Sequence, residues 1–410
     1  MLTRAHEERA IALASCDDDG RISYDPVAVP FADGGIVREA LHDELIAAPA
    51  GTLQMMLPKR SPLTAIGPIA QRNTLAVALP AGYTRLLLPA YAARRNAPPL
   101  PLFGYTFACA IGDCLYVAAM RTDESEDWQP RSFRAGELES IIERRVAREP
   151  QNRVLRQVAL CSQAYGCFTA QNVFLARGEA ALPVSPKCNA RCIGCISEQE
   201  RDADLPSPQV RIADEATAGE LAAVAIAHLE RVSDGIVSFG QGCEGEPLLR
   251  SITIARAIEK IRSRLQNGTI NLNSNGSQPA ALERCIEAGL QAVRVSLNSF
   301  RRSVYAAYYR PAGYDLDDVF GSIQLALRRG LRVSLNLLTH PGVTDDAEEM
   351  AAMERFLRDS PVSMVQTRTL NIDPALYFGS VGRPRAPIGM RRALERIREF
   401  AQVGNFTHTH

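Results

Sequence analysis

The chain has 410 residues, with 46 Lys+Arg against 46 Asp+Glu and a formal net charge of zero. The balance leaves no global basic field, so nucleic acid is not indicated as a partner, and the length suffices for two or more hydrophobic cores. The N-terminus lacks an apolar core of signal-peptide length, and the most apolar regions, 74–93 and 102–120, are broken by Arg85 and Asp113 too early for a membrane span. A cytoplasmic protein with no membrane partner is expected. Its ten cysteines then read as thiols or metal ligands.

Residues 1–148 are rich in strand and turn signals and read as an N-terminal α+β accessory domain. Two hairpins are expected, one pairing 74–79 with 83–88 across Pro80 and Gly82, the other pairing 105–111 with 114–120 across Gly112-Asp113. A two-residue turn in the second sets Ile111 opposite Cys114 and places Cys109 and Cys114 diagonally on one face. They read as small buried hydrophobes more readily than as a redox pair. Residues 133–166 look helical. Ser132 precedes an acidic first turn, Pro150 divides the segment, and Gly166 ends it. Within the connecting segment 149–181, Cys161 and Cys167 read as core thiols.

From 182 the pattern changes to alternation. Strand-like runs at 182–185, 235–240, 269–275, 292–298, 332–339 and 364–370 are separated by helical patterns near 216–232, 248–265, 279–288, 316–329 and 345–358. Such an order makes a parallel sheet with crossover helices. In three successive strands one face is polar: Thr269, Asn271, Asn273 and Asn275, then Arg294, Ser296 and Asn298, then Arg332, Ser334 and Asn336. A sheet covered by helices on both sides would be apolar on both faces. One dry and one polar face imply helices outside and a wet concavity inside.

The first of these runs leads into VSPKCNARCIGC, residues 184–195, with Cys188, Cys192 and Cys195 in a Cys-x3-Cys-x2-Cys spacing. Three thiolates on one tight loop can converge on one metal centre, whereas a closed zinc site or a plain electron-carrying cluster takes four protein ligands. The motif resembles the signature of the radical S-adenosylmethionine (radical SAM) enzymes. The resemblance covers residues 182 to about 374, a domain placed at 182–375, with a C-terminal helix and tail at 376–410. It implies a partial (β/α)6 barrel and a [4Fe-4S] cluster on Cys188, Cys192 and Cys195. It further implies SAM chelated at the iron without a protein ligand, and a 5'-deoxyadenosyl radical that abstracts hydrogen from an unidentified substrate. An electron donor such as flavodoxin or ferredoxin is implied as a partner. The family usually carries an aromatic residue before the third cysteine, where this chain has Gly194.

The stretch 238–247, SFGQGCEGEP, resembles the family's Gly-Gly-Glu-Pro element that meets the amino group of SAM, with Glu244 in place of its first glycine. The resemblance therefore assigns Gly245, Glu246 and Pro247 to cofactor binding. It adds Asn273, Asn275, Ser296 and Asn298 at strand ends, Arg310 as a carboxylate partner, and Val343 as a backbone contact to adenine. His340 is a candidate for proton transfer and equally a structural turn histidine. Arg294, Arg332 and Arg368 on the polar face hint at an anionic or highly polar substrate. The alternative reading is an iron-sulfur or zinc module without SAM cleavage, its fourth ligand supplied by Cys243, Cys161, Cys167 or His228. His408 and His410 fall in the tail.

Overall fold

The computed structural model describes residues 10–123, 135–199 and 206–405. Ser132, the first nine residues, and His408 and His410 lie outside these. Among the described residues, seven strands form one all-parallel sheet in chain order: Glu179–Leu182, Ile236–Phe239, Thr269–Ser274, Ala292–Leu297, Arg332–Thr339, Met364–Thr369 and Gln402–Gly404. The first and last are its edges, so the barrel is open, as the partial barrel expected from the sequence requires.

The two faces differ as the alternation demands. Ile270, Leu272, Val293, Val295, Leu297, Val333, Leu335 and Leu337 are buried under the helices, while Asn273, Arg294, Ser296 and Asn336 line a cavity on the concave side. The covering helices start where capping chemistry permits. Thr217 and Glu220 form a reciprocal capping box at Ala218–Leu229, and Asp315 accepts from the Asp317 and Asp318 amides at Leu316–Arg328. The latter helix buries Leu316, Val319, Ile323 and Ala326, the spacing of a single stripe.

Several expectations are corrected. The first strand lies at Glu179–Leu182, earlier than 182–185, because the Val184 and Ser185 amides leave the ladder to donate to the Glu244 carboxylate at 2.8 and 2.9 Å. The C-terminal segment returns to the sheet, where Gln402–Gly404 pairs in parallel with Met364–Thr369 as a seventh strand. Three residues are too short a run for an alternation pattern to register. The helices Phe168–Leu175, Arg302–Tyr309 and Pro374–Val381 were not foreseen.

In the N-terminal part, the expected pairing of 74–79 with 83–88 does not form. Asn73–Ala78 pairs with Leu53–Leu57, with the end of Ile11–Cys16 and with the start of Thr106–Ile111, whereas Tyr83–Arg85 pairs with Cys114–Arg121. Pro80 cannot donate to a ladder, and Gly82, at φ +88°, turns the chain onto a different partner. The second hairpin forms in the expected register, Ile111 opposite Cys114. Cys109 is fully buried and Cys114 is exposed. Burial pushes the Cys109 thiol up to about 12, the behaviour of a core residue.

The N-terminal part is latched to the barrel by Arg85. Its fully buried guanidinium donates to the Thr339 and Leu370 carbonyls at 3.3 and 3.0 Å and to the Tyr105 carbonyl at 3.3 Å. Beside it, Thr84 and Thr367 share a hydroxyl bond of 2.5 Å, and Arg60 pairs with Asp373 at 3.2 Å. No helix among the described residues is long and apolar enough to cross a membrane. Replacing Arg85 with Ala strands the buried Tyr105 and Leu370 carbonyls, leaves Thr339 only the Leu370 amide as donor and opens a void, so it should destabilise the chain by about 3 kcal/mol or more. A urea titration of the Arg85→Ala protein against the parent checks this.

Candidate active site

The cysteine loop is held by backbone on two sides. On one, the Arg191 and Ile193 amides donate to the Tyr309 and Tyr308 carbonyls, both at 3.0 Å, and the Ala312 amide donates to the Asn189 carbonyl at 2.8 Å. On the other, the Gly245 amide donates to the Ser185 carbonyl at 2.7 Å and the Glu246 amide to the Lys187 carbonyl at 2.9 Å. The glycine-rich loop thus lies directly on the cysteine loop. A Cβ on Gly245 would sit 2.0 Å from the Lys187 carbonyl oxygen, and one on Gly240, at φ +80°, would sit 1.7 Å from that of Asn273. Only glycine fits either place.

Glu244 is fully buried and accepts from four backbone amides, Val184, Ser185, Gly240 and Gln241, at 2.7–3.0 Å. Where the resemblance leads one to expect glycine, this carboxylate stitches the glycine loop to the end of the first strand. Glu246 accepts from the Leu248 and Asn275 amides and the Ser274 hydroxyl at 2.6–2.9 Å. Three of its roughly four lone-pair sites are filled, leaving room for a further donor from the cavity it faces. Burial pushes both carboxyls up, each to about 7.

Cys188, Cys192 and Cys195, all half-buried free thiols, open on one cavity of about 620 Å³. Gly245, Glu246, Pro247, Asn273, Asn275 and Ser296 line the same cavity. The structure does not bring the other candidates there. Asn298 turns into the core and donates to the Tyr377 hydroxyl at 3.1 Å. Arg310 is the exposed left-handed cap of Arg302–Tyr309. Val343 is buried in a turn whose amide bonds the His340 carbonyl. His340 is wholly buried against Tyr377 and Phe378, and burial with the nearby Arg85 charge holds it neutral. Arg332 sits at the opposite end of the barrel, beside a separate cavity of about 40 Å³.

The alternative fourth ligands stand elsewhere. Cys243 and Cys161 face each other within hydrogen-bonding reach behind the glycine loop, and their contact together with burial pushes the Cys243 thiol far up. His228 bonds the Gly178 carbonyl at 3.1 Å. Among the described residues no three His, Cys, Asp or Glu side chains lie close enough to share a single metal ion. A cluster, by contrast, spreads its thiolates over separate irons around a central body, and three thiols on the wall of a roomy cavity fit that demand. Burial followed by the Glu246 charge pushes the Cys188 thiol up to about 11, and burial followed by the other two thiols pushes Cys192 well above its usual value. Loading the site therefore releases protons.

Other residues in this region carried no signal in the sequence. Arg211 donates towards the Cys195 sulfur at 3.8 Å and to the Ser197 hydroxyl at 3.2 Å. A Cβ at Gly194 would stand 3.1 Å from the Tyr308 hydroxyl and 3.3 Å from the Asn371 carbonyl. The room an aromatic would need there is taken by Tyr308, which itself lines the cavity.

Residues 182–353 match the family model described as the radical SAM superfamily. That stretch of the chain is a radical SAM domain. The chain shares 26% identity over 245 residues with the FeMo cofactor biosynthesis protein NifB of Klebsiella pneumoniae, covering 56% of this chain and 51% of that one. It shares 28% over 229 residues with the GTP 3',8-cyclase of Ectopseudomonas mendocina (strain ymp), covering 52% and 62%. The chain spans about half the length of the curated relatives it matches. A radical SAM methyltransferase from Sphaerobacter thermophilus overlays with TM-score 0.38 at 17% identity, over 55% of this chain and 65% of that one; the fold assignment rests on the strand order instead. Radical SAM enzymes use a [4Fe-4S] cluster and SAM, and the three thiols on residues 182–353 fall within the matched domain.

Gly245→Ala should push the glycine loop off the cysteine loop and weaken SAM binding by at least about tenfold, read by equilibrium dialysis with labelled SAM. Glu246 is ionised only above its raised value, and an ammonium is held by the ionised form. With Glu246 proposed as the partner of the SAM amino group, SAM affinity should be fullest well above pH 7 and fall as the pH drops through about 7, a trend that Glu246→Gln should abolish in the same assay.

Proposed function

We propose that the enzyme cleaves SAM reductively, with the cluster held by Cys188, Cys192 and Cys195. Those thiols would hold a cluster that, when bound, would supply one electron to the sulfonium, so that a carbon-sulfur bond would break to give methionine and a 5'-deoxyadenosyl radical able to take a hydrogen atom from the substrate. The electron enters from a low-potential donor such as flavodoxin or ferredoxin. Three protein thiolates leave the cluster open to the methionine end of SAM. Glu246, fixed by Ser274 and Asn275, accepts from the SAM ammonium. Asn273, Asn275 and Ser296 offer hydroxyl and amide groups to its ribose and carboxylate, and Tyr308 walls the chamber where Gly194 leaves space.

One observation carries this reading: three thiols of a single loop, strapped to a glycine loop that bears a pinned carboxylate, share one cavity. The test is EPR of anaerobically reconstituted, dithionite-reduced protein with and without SAM, followed by chromatography for 5'-deoxyadenosine. A [4Fe-4S]+ signal that shifts on adding SAM, with deoxyadenosine formed by the parent and lost in Cys192→Ala, is expected. A spectrum indifferent to SAM, or tightly bound zinc in place of iron, would sink the proposal.

A further inference from the structure

Four tyrosines form a layer against the cysteine loop. The helix Arg302–Tyr309 carries Tyr305, Tyr308 and Tyr309, Tyr314 follows it, and all four are buried. The Tyr305 and Tyr309 rings stack with centroids 4.4 Å apart, and Tyr308 meets Tyr309 edge-on at 5.0 Å. Backbone fixes this layer to the thiols, because the Arg191 and Ile193 amides, which flank Cys192, donate to the Tyr309 and Tyr308 carbonyls. Tyr309 lines the same cavity as the three thiols.

The Tyr305 hydroxyl donates to that of Tyr314 at 3.3 Å, whereas the Tyr309 hydroxyl is buried and has no hydrogen-bond partner among the described residues. An unmade hydroxyl bond in a dry place costs stability, and phenylalanine would fill the same stack without that cost. The groups that act electrostatically on this hydroxyl include Tyr305, Cys192, Tyr308 and Tyr314. Tyrosines stay neutral at ordinary pH, so Cys192 is the one of these four that becomes an anion when metal binds. The neighbouring sulfurs already have donors. The Ala190 amide donates to the Cys188 sulfur, and Cys195 faces the Ser197 hydroxyl at 3.6 Å and the Arg211 guanidinium at 3.8 Å. The Cys192 sulfur has the amide of its own residue, a contact bent by the covalent geometry that joins the two.

We propose that Tyr309 sets the reduction potential of the cluster, its hydroxyl donating to the anionic sulfur at Cys192. This rests on the reading that the three thiols hold a cluster. The electron taken up on reduction adds negative charge that the sulfurs share, so a donor to sulfur favours the reduced state and raises the potential. A neutral phenol does this without placing a second charge beside the site, and its ring keeps water from the same sulfur.

The test compares the parent, Tyr309→Phe and Tyr305→Phe, each as the full chain reconstituted anaerobically, by EPR-monitored redox titration of the loaded fraction without SAM. Tyr309→Phe should lower the midpoint potential by at least about 30 mV, a threefold shift in a one-electron equilibrium for which tenfold is about 59 mV. Tyr305→Phe removes a hydroxyl from the same stack that Tyr314 already partners, and should leave the potential where it is in the parent. A second measurement separates this role from packing. Without the cluster, Tyr309→Phe should unfold at a urea midpoint no lower than that of the parent, because it keeps the ring and loses an unmade bond. An unmoved potential in Tyr309→Phe, or an equal shift in Tyr305→Phe, would overturn the inference. So would a cluster-free Tyr309→Phe chain less stable than the parent, because the hydroxyl would then serve the fold. A parent that takes up no cluster counts against the proposed function itself.

Discussion

The Glu244 carboxylate is the fixed point on which the site depends. It is buried and accepts from four backbone amides drawn from both sides of a parallel strand pair. A carboxylate has about four lone-pair sites, and filling all of them with N–H donors compensates its removal from water. The arrangement sets the end of the first strand, and hence the root of the cysteine loop, against the start of the glycine loop. Glu246, two residues on, then reaches Ser274 and Asn275 at the end of the third strand. Loops after three neighbouring strands are registered to one another through two carboxylates.

Close approach of backbone to backbone does the rest. The cysteine loop is sandwiched between the glycine loop and the end of Arg302–Tyr309, with amide–carbonyl bonds on both sides. The thiols are consequently placed by main chain, which has fewer ways to move than side chains. Tyr308, on the far side of this sandwich, occupies the space that Gly194 leaves empty. The departure from the family pattern at 194 and the tyrosine at 308 are two views of one packing arrangement.

The accessory region is tied to the barrel by buried polar contacts. Arg85 binds carbonyls at the ends of the fifth and sixth barrel strands, and Asp373 receives both the Arg60 guanidinium and the Leu100 amide. Contacts of this kind hold orientation, because each group has few satisfactory partners in a dry interface. The same interface carries the 79–83 turn to the cavity.

The alternation of strands and helices, the one-sided polarity of the third to fifth strands, and the cysteine and glycine loops were legible in the residues, because each is set by local periodicity or by a short motif. So was the Ile111–Cys114 register, which a two-residue turn dictates. Proximity between distant segments was not. Nothing local distinguishes Asn275, which reaches the cavity, from Asn298, which turns inward to Tyr377. Nor does any local feature set His340, sealed in the core, apart from a histidine at the mouth. The seventh strand, the return of Tyr83 to the chamber and the meeting of Tyr308 with Gly194 depend on contacts across a hundred residues or more of chain, or on the packing of elements too short to announce themselves. By itself, then, the sequence determined which chemistry the chain can hold, since that is a matter of residue types at close spacing. Only the tertiary structure decided which side chains face that chemistry and what encloses it, since burial and orientation arise from packing between elements.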